Sequence, residues 1–137
     1  MNLEKYYQLI ESAIEKLGIT PSSIHEKEGQ WNLKKGSALV YINVWKDKKN
    51  QSGYFQASST VARVPDENKE AFFSEILDIN AKIFGVTMGK IDPWIFVRHV
   101  RELEGLDESE IIATVNRVAN YSDIYDDYLE EKYFKKS

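Results

Sequence analysis

Two histidines, His25 and His99, are the side chains of this 137-residue chain whose ordinary pKa suits proton transfer near neutral pH. His25 lies in a short stretch between Pro21 and Gly29, and His99 stands between Arg98 and Arg101 in an alternating segment. A histidine base needs a partner to orient it and a substrate proton within reach. No serine or carboxylate is placed beside either ring by sequence, so each reads more simply as a strand residue. An active site of His99 with Arg98 and Arg101 is the weakest functional reading. Asp123, Asp126, Asp127, Glu130 and Glu131 recur at helical spacing, which puts two or three carboxylates on one side. Oxygen-ligand metals use such groups, but from a loop of alternating ligands that is missing here. A solvated helix end is the plainer account. The run Gly85-Val86-Thr87-Met88-Gly89 leads into a strand rather than a helix, so it is no phosphate loop. Cysteine is absent, which excludes disulfides, thiol nucleophiles and zinc–thiolate sites. The expectation is a protein that is not an enzyme, with no catalytic, cofactor-binding or metal-binding residues.

Residues suited to protein recognition are easier to find. Trp45, Tyr54, Trp94 and Phe96 fall near the ends of strand-like segments. Aromatic side chains anchor interfaces because they bury large areas at low entropic cost. The alternative for each is a place in the core. Asn80 sits inside an apolar helical stripe, where an unsatisfied amide costs about 1–3 kcal/mol. It must therefore bond nearby backbone within the domain, or fix register across a dimer interface. These five residues form the expected partner or dimer surface.

Composition bounds the setting. A chain of this length is one domain able to bury a real core, and residues 1–137 read as a single unit. A net charge of -4 argues against nucleic acid, whose recognition rests on clustered Lys and Arg. From Glu102 onward, ten carboxylates face Arg117, Lys132, Lys135 and Lys136, a net of -6. That is a solvated face or a surface for a basic partner. The first residues lack a basic region followed by an apolar run, and no segment approaches the ~18 apolar residues of a membrane span. A cytoplasmic protein with no membrane partner is the expectation.

The elements that would position these residues follow from periodicity. Leu3, Tyr6, Tyr7, Ile10, Ala13, Ile14 and Leu17 repeat at steps of three and four, which predicts a helix over 2–17 with Asn2 as cap and Gly18 as stop. Thr20-Pro21-Ser22 is expected to forbid further helix. Strands are predicted weakly at 23–27, at 30–34, and strongly at 38–45. In the last, Val40, Ile42 and Val44 alternate with Leu39, Tyr41 and Trp45, which suggests cover on both faces or a central place. A basic turn at 46–53 leads to a strand over 54–64. A second helix is expected after Pro65, capped by Asp66, with Phe72, Phe73, Ile76, Leu77, Asn80, Ile83 and Phe84 as its buried stripe. A hairpin of 86–90 and 94–103 follows. Asp107 and Glu110 have the spacing of a capping box for the last helix. Its buried face is Ile111, Ile112, Val115, Val118, Ala119 and Ser122, and 121–137 form a Tyr- and acid-rich helical extension. Strands and helices come in blocks, which argues for an α+β fold: an antiparallel sheet with helices at both ends and one between two strand blocks, α-β-β-β-α-β-β-α.

Three segments carry a family resemblance: P-D-E-N-K-E-A-F-F-S-E-I-L-D-I-N from Pro65, F-G-V-T-M-G-K-I-D-P-W-I-F-V-R from Phe84, and L-E-G-L-D-E-S-E-I from Leu103. A helix ending in Leu-x-x-Asn meets a Gly and enters a hairpin; a leucine–acid–Gly–leucine step then opens the last helix. In this order they resemble the YbjN family and its relatives of the type III secretion chaperone-like fold, over about residues 3 to 125, leaving the Tyr-rich tail outside. The resemblance implies a small α+β domain akin to homodimeric chaperones that bind extended segments of secreted proteins without ATP. It implies no catalytic residues. The leading expectation is a non-enzymatic protein-binding module, a homodimer that captures an extended partner segment. The alternative is a sensory or regulatory YbjN-type protein that docks a folded partner on its acidic last helix.

Overall fold

The computed structural model describes residues 2–134. Lys135 and Lys136, counted in the charge balance above, and the last residue of the expected extension lie outside the described residues. Helix α1 (Glu4–Lys16), a single turn α2 (Pro21–Ile24) and strands β1 (His25–Lys27), β2 (Gln30–Lys35), β3 (Ala38–Lys46) and β4 (Gly53–Arg63) come first. Helix α3 (Lys69–Asn80), strands β5 (Thr87–Ile91) and β6 (Trp94–Glu102), and helix α4 (Glu108–Tyr133) complete the chain. The six strands form one antiparallel sheet in the order β1-β2-β3-β4-β6-β5. The α+β class and the blocked arrangement are as the sequence implies, but the first block holds four strands rather than three and is preceded by the extra turn α2.

One sheet face carries the core. Trp31, Leu33, Val40, Ile42, Val44, Phe55, Ala57, Ile95 and Val97 are buried beneath the helices. Helix α4 crosses β3, β4 and β6, α1 lies alongside α4, and α3 packs beside β5. Ile10, Ala13 and Ile14 of α1 and Ile111, Val115 and Val118 of α4 close the layer. Each such aliphatic chain contributes about 1.5–3 kcal/mol on full burial, so this face is where stability lies.

Several local expectations need correction. Helix α1 already ends before the left-handed Gly18 (φ 86°), and Pro21 does not forbid helix but starts the turn α2, because a first helical position needs no N–H. Strand β3 is central, but only one of its faces is covered: Leu39 stays 40 % and Trp45 37 % exposed. Asp66 does not cap α3. Asn68 precedes it in a left-handed conformation (φ 61°), and its side chain makes no cap bond. The buried stripe of α3 is Phe72, Ile76 and Ile79, while Leu77 (70 %) and Phe84 (77 %) face outward. The helix ends at Asn80, which leaves Phe84 outside it, while Phe73 and Ile83 pack partly buried against the core. Asp107 caps α4 as expected, accepting from the Glu110 N–H at 2.8 Å, but the reciprocal half of the box is missing. The Glu110 carboxylate is taken by Arg101 instead, at 2.5 Å.

At the N-terminus the N-cap position falls on Leu3, one residue later than expected, and Asn2 before it accepts from the Glu4 N–H at 2.9 Å. The Tyr-rich extension is a continuation of α4 through Tyr133, and it is docked. Leu129 is fully buried, and the Tyr133 ring meets Phe72 edge-on at 5.1 Å.

Candidate functional site

Because successive strand residues point to opposite faces, the core on one side leaves a second face to solvent. It is floored by Leu39, Tyr41 and Trp45 of β3, Tyr54, Gln56 and Ser58 of β4, and Phe96, Arg98 and Val100 of β6. Trp45 and Tyr54 are direct cross-strand partners, with rings 5.6 Å apart and inclined by 30°. At the other end of the sheet, Trp94 is 44 % exposed beneath the guanidinium of Arg63, 5.7 Å from its ring. Phe96 lies over Gly89 of the neighbouring strand, a position where any Cβ would press into the ring at 2.8 Å. Arg98 rests on Phe96 at 5.4 Å and donates to Gln56 Oε1 at 3.2 Å. A shallow cavity of about 230 Å³ opens here between Tyr41, Trp94, Phe96 and Arg98.

The structure thus places four of the five residues singled out for protein contact on one open face, in two pairs: Trp45 with Tyr54, and Trp94 with Phe96. Asn80 is elsewhere. Its Nδ2 donates to the Met88 carbonyl at 3.0 Å and its Oδ1 accepts from the Met88 N–H at 2.7 Å. Both ends of the amide are satisfied within the domain, the first of the two roles open to it. It also lines an apolar groove between α3 and β5, with Phe73, Ile76, Leu77 and Met88. Sequence reasoning missed the exposed Leu39, Val100 and Leu77. The alternation of β3 was visible, but which face carried helices was not.

His99 and its two arginines do not assemble. His99 shares the inner face with Ile95 and Val97, where Nδ1 meets the Gly85 carbonyl at 2.8 Å. Arg98 points to the opposite face. Arg101 is consumed by Glu110 and by the carbonyls of Glu102 and Glu104. No carboxylate or serine lines the shallow cavity at His99. His25 packs against Trp31 at 5.5 Å, while the Trp31 indole donates to Glu11 at 3.2 Å. Among the described residues, no group of three or more His, Asp or Glu is placed to hold a metal, and no helix is long and apolar enough to cross a membrane.

The acidic side of α4 is a second charged feature. Burial, then the neighbouring Asp127, Glu130 and Asp123, push the Asp126 carboxyl above its ordinary range. Asp123 is partly absorbed, accepting from the Ser37 hydroxyl at 2.6 Å. Under this helix, Glu75 of α3 takes the Tyr128 hydroxyl, the Tyr133 hydroxyl at 2.8 Å and the Lys132 ammonium at 2.8 Å. Burial opposes its ionisation, yet these donors together hold its carboxyl at about 2. The sequence offered no sign of this hub, whose members come from two helices more than fifty residues apart.

A single antiparallel sheet with helices on one face and an aromatic-lined open face defines a class, the type III secretion chaperone-like fold. Solved structures share it, among them three complexes. The chain matches a structure of the ExsC–ExsE complex with TM-score 0.71 and 16 % identity, over 94 % of this chain and 97 % of that one. For the HopA1–SchA chaperone–effector complex the values are 0.66 and 11 %, over 93 % and 98 %. For the ExoU–SpcU complex of the type III secretion system of Pseudomonas aeruginosa they are 0.65 and 12 %, over 89 % and 98 %. Among curated proteins no sequence matches. The model of the YbjN family, described as "Putative bacterial sensory transduction regulator", matches residues 7–131. The chain belongs to the YbjN family. The match also takes in most of the Tyr-rich tail, beyond the residues that carry the resemblance in the sequence.

Proposed function

We propose that this chain is a non-enzymatic, cytoplasmic protein-binding module that, as a homodimer, holds an extended segment of another protein on its open sheet face. The observation that carries this reading is the face itself. It exposes Leu39, Trp45, Trp94 and Val100 on rigid strands while the opposite face is fully used by the core. Ordered apolar side chains on a rigid frame lose little entropy on binding, and an apolar patch of this kind marks an interaction surface. Solved relatives of the fold in complex with other proteins support a partner-binding role. The second copy would sit on the α3–β5 side, where Leu77 and Phe84 stand out beside the groove that Asn80 lines. His99 is held by a backbone carbonyl rather than a carboxylate, and His25, which shares a shallow cavity with Glu4, Glu11 and Glu28, makes no hydrogen bond to them, so no chemistry is assigned.

A photo-crosslinking residue placed at Trp45, and separately at Asp127, separates this from a second reading. In that reading the chain is a regulator that docks a folded partner on the acidic side of α4, and the carboxylates gathered around Asp126 favour it. Crosslinks from position 45 to a segment outside any folded domain are the expected result. Crosslinks confined to position 127 would transfer the function to α4. Sedimentation equilibrium tests the dimer: a mass of twice 15.9 kDa is expected, falling to the monomer value in Leu77→Asp.

A further inference from the structure

Resting on the reading of the open face as the partner site, we infer that its Trp94–Phe96 end reads a carboxylate, borne by an extended segment between apolar side chains. Arg98 and Arg63 are the groups that would bind it. Both guanidinium groups are already placed. Arg98 is tethered by Gln56 and lies over the Phe96 ring, and Arg63 lies over Trp94. Cross-strand pairing sets them on the same face, Arg98 opposite Ser58 and Arg63 opposite Trp94. A guanidinium stacked on a ring still presents its N–H edge, the edge that matches a carboxylate with two parallel hydrogen bonds.

Among the described residues, neither arginine is in an ion pair. The ion pairs among the described residues are Lys16–Glu108, Lys90–Asp92, Arg101–Glu110 and Lys132–Glu75. In a chain with 22 acidic and 18 basic residues, two exposed arginines on one sheet face, outside those ion pairs, are a local reversal of sign. The charge complement is therefore acidic. Apolar neighbours of that acid would meet Tyr41, Ile91 and Trp94 in the adjoining cavity, where Ser58 and Thr60 offer hydroxyls to a backbone. A single-stranded nucleic acid also uses aromatic faces and arginine. It carries a charge on every nucleotide, however, and binds through many cations tracking its backbone. Two separated arginines in a chain of net charge -4 fit isolated carboxylates better.

The test titrates the full chain, by NMR of the arginine and tryptophan side-chain N–H groups, with three probes. These are a capped Val-Glu-Phe-Glu-Val peptide, its Val-Gln-Phe-Gln-Val twin, and a short oligothymidylate. The acidic peptide should bind about tenfold more tightly than its amide twin, the scale of one charge-assisted contact, and shift Arg98 and Trp94. In Arg98→Gln and in Arg63→Gln that preference should shrink, with the thermal midpoint unchanged because both side chains are exposed. Equal binding of the two peptides would overturn the carboxylate preference while leaving the open-face reading intact. Failure of both peptides to bind would overturn the two together, and tighter binding of the oligonucleotide would replace the carboxylate with a phosphate chain.

Discussion

Asn80 and Met88 hold each other through both ends of one amide, at 3.0 Å and 2.7 Å. Met88 lies on β5, one of the two edge strands of the sheet, and the backbone groups it turns away from β6 are the ones Asn80 occupies. The helix thereby covers an edge that would otherwise invite another strand. Asn80→Ala leaves that N–H and C=O to compete for water in a half-buried groove. It should lower unfolding free energy by about 1–3 kcal/mol, read as a shift of the urea midpoint, and speed amide exchange at Met88. Unchanged exchange there would show that the clamp contributes nothing.

Glu75 gives the fold a pH dependence of known sign. Its carboxyl is at about 2 in the folded state against an ordinary value of 4.5. A carboxylate favoured by folding adds stability above its unfolded pKa and loses it as pH falls toward the folded one. The Glu75 contribution is therefore complete above pH 4.5 and disappears between there and about 2. In Glu75→Gln the fall of the denaturation midpoint across that window should be shallower than in the native chain. Tyr133→Phe removes one donor and should cost about 0.5–1.5 kcal/mol at neutral pH, with faster exchange in α3. A parallel loss of midpoint with pH in Glu75→Gln and native protein would remove Glu75 from the account.

The sequence made the class and block order legible because both rest on local signals, a period of three to four in α1 and a period of two in β3 and β4. It failed where the answer depended on which element covers which. Leu39 and Trp45 look as apolar as Val40 and Val44, and only the helices choose between the two faces. The stripe expected for α3 fails at Leu77, which lies within the helix but faces outward, and at Phe84, which follows the helix end; Ile83 does pack on the core. Trp45, Tyr54, Trp94 and Phe96 were found because aromatic residues on strands are conspicuous. Arg63 was not, since its place over Trp94 follows from a register irregularity between Thr60 and Ala62 that no pattern announces.

Gly18 and Gly29 share a left-handed backbone, φ 86° and 78°, in different surroundings. Nothing lies within 4 Å of a Cβ added at Gly18, whereas one added at Gly29 would collide with the Val44 carbonyl oxygen. The Gly29 carbonyl accepts from the Val44 N–H at 2.8 Å, so the loop is pinned where the clash occurs. Gly18→Ala should cost about 1–2 kcal/mol, the penalty of the backbone conformation alone. Gly29→Ala should cost clearly more, and the difference between their thermal midpoints measures the steric part. Equal midpoints would mean that the turn before β2 yields freely.

Phe55 and Trp45 sit on neighbouring strands with opposite assignments: Phe55 is fully buried among the core residues, and Trp45 stands on the open face. Removing the Phe55 ring leaves a cavity under the helices, and Phe55→Ala should cost about 3–5 kcal/mol. Trp45→Ala gives up only a cross-strand contact with Tyr54, worth about 0.2–1 kcal/mol. If the open face is the partner surface, Trp45→Ala should keep nearly full stability while abolishing crosslinks from a probe placed at Tyr54. A stability loss as large as that of Phe55→Ala would identify Trp45 as a core residue. Undiminished crosslinking in a stable variant would place the partner elsewhere on the chain.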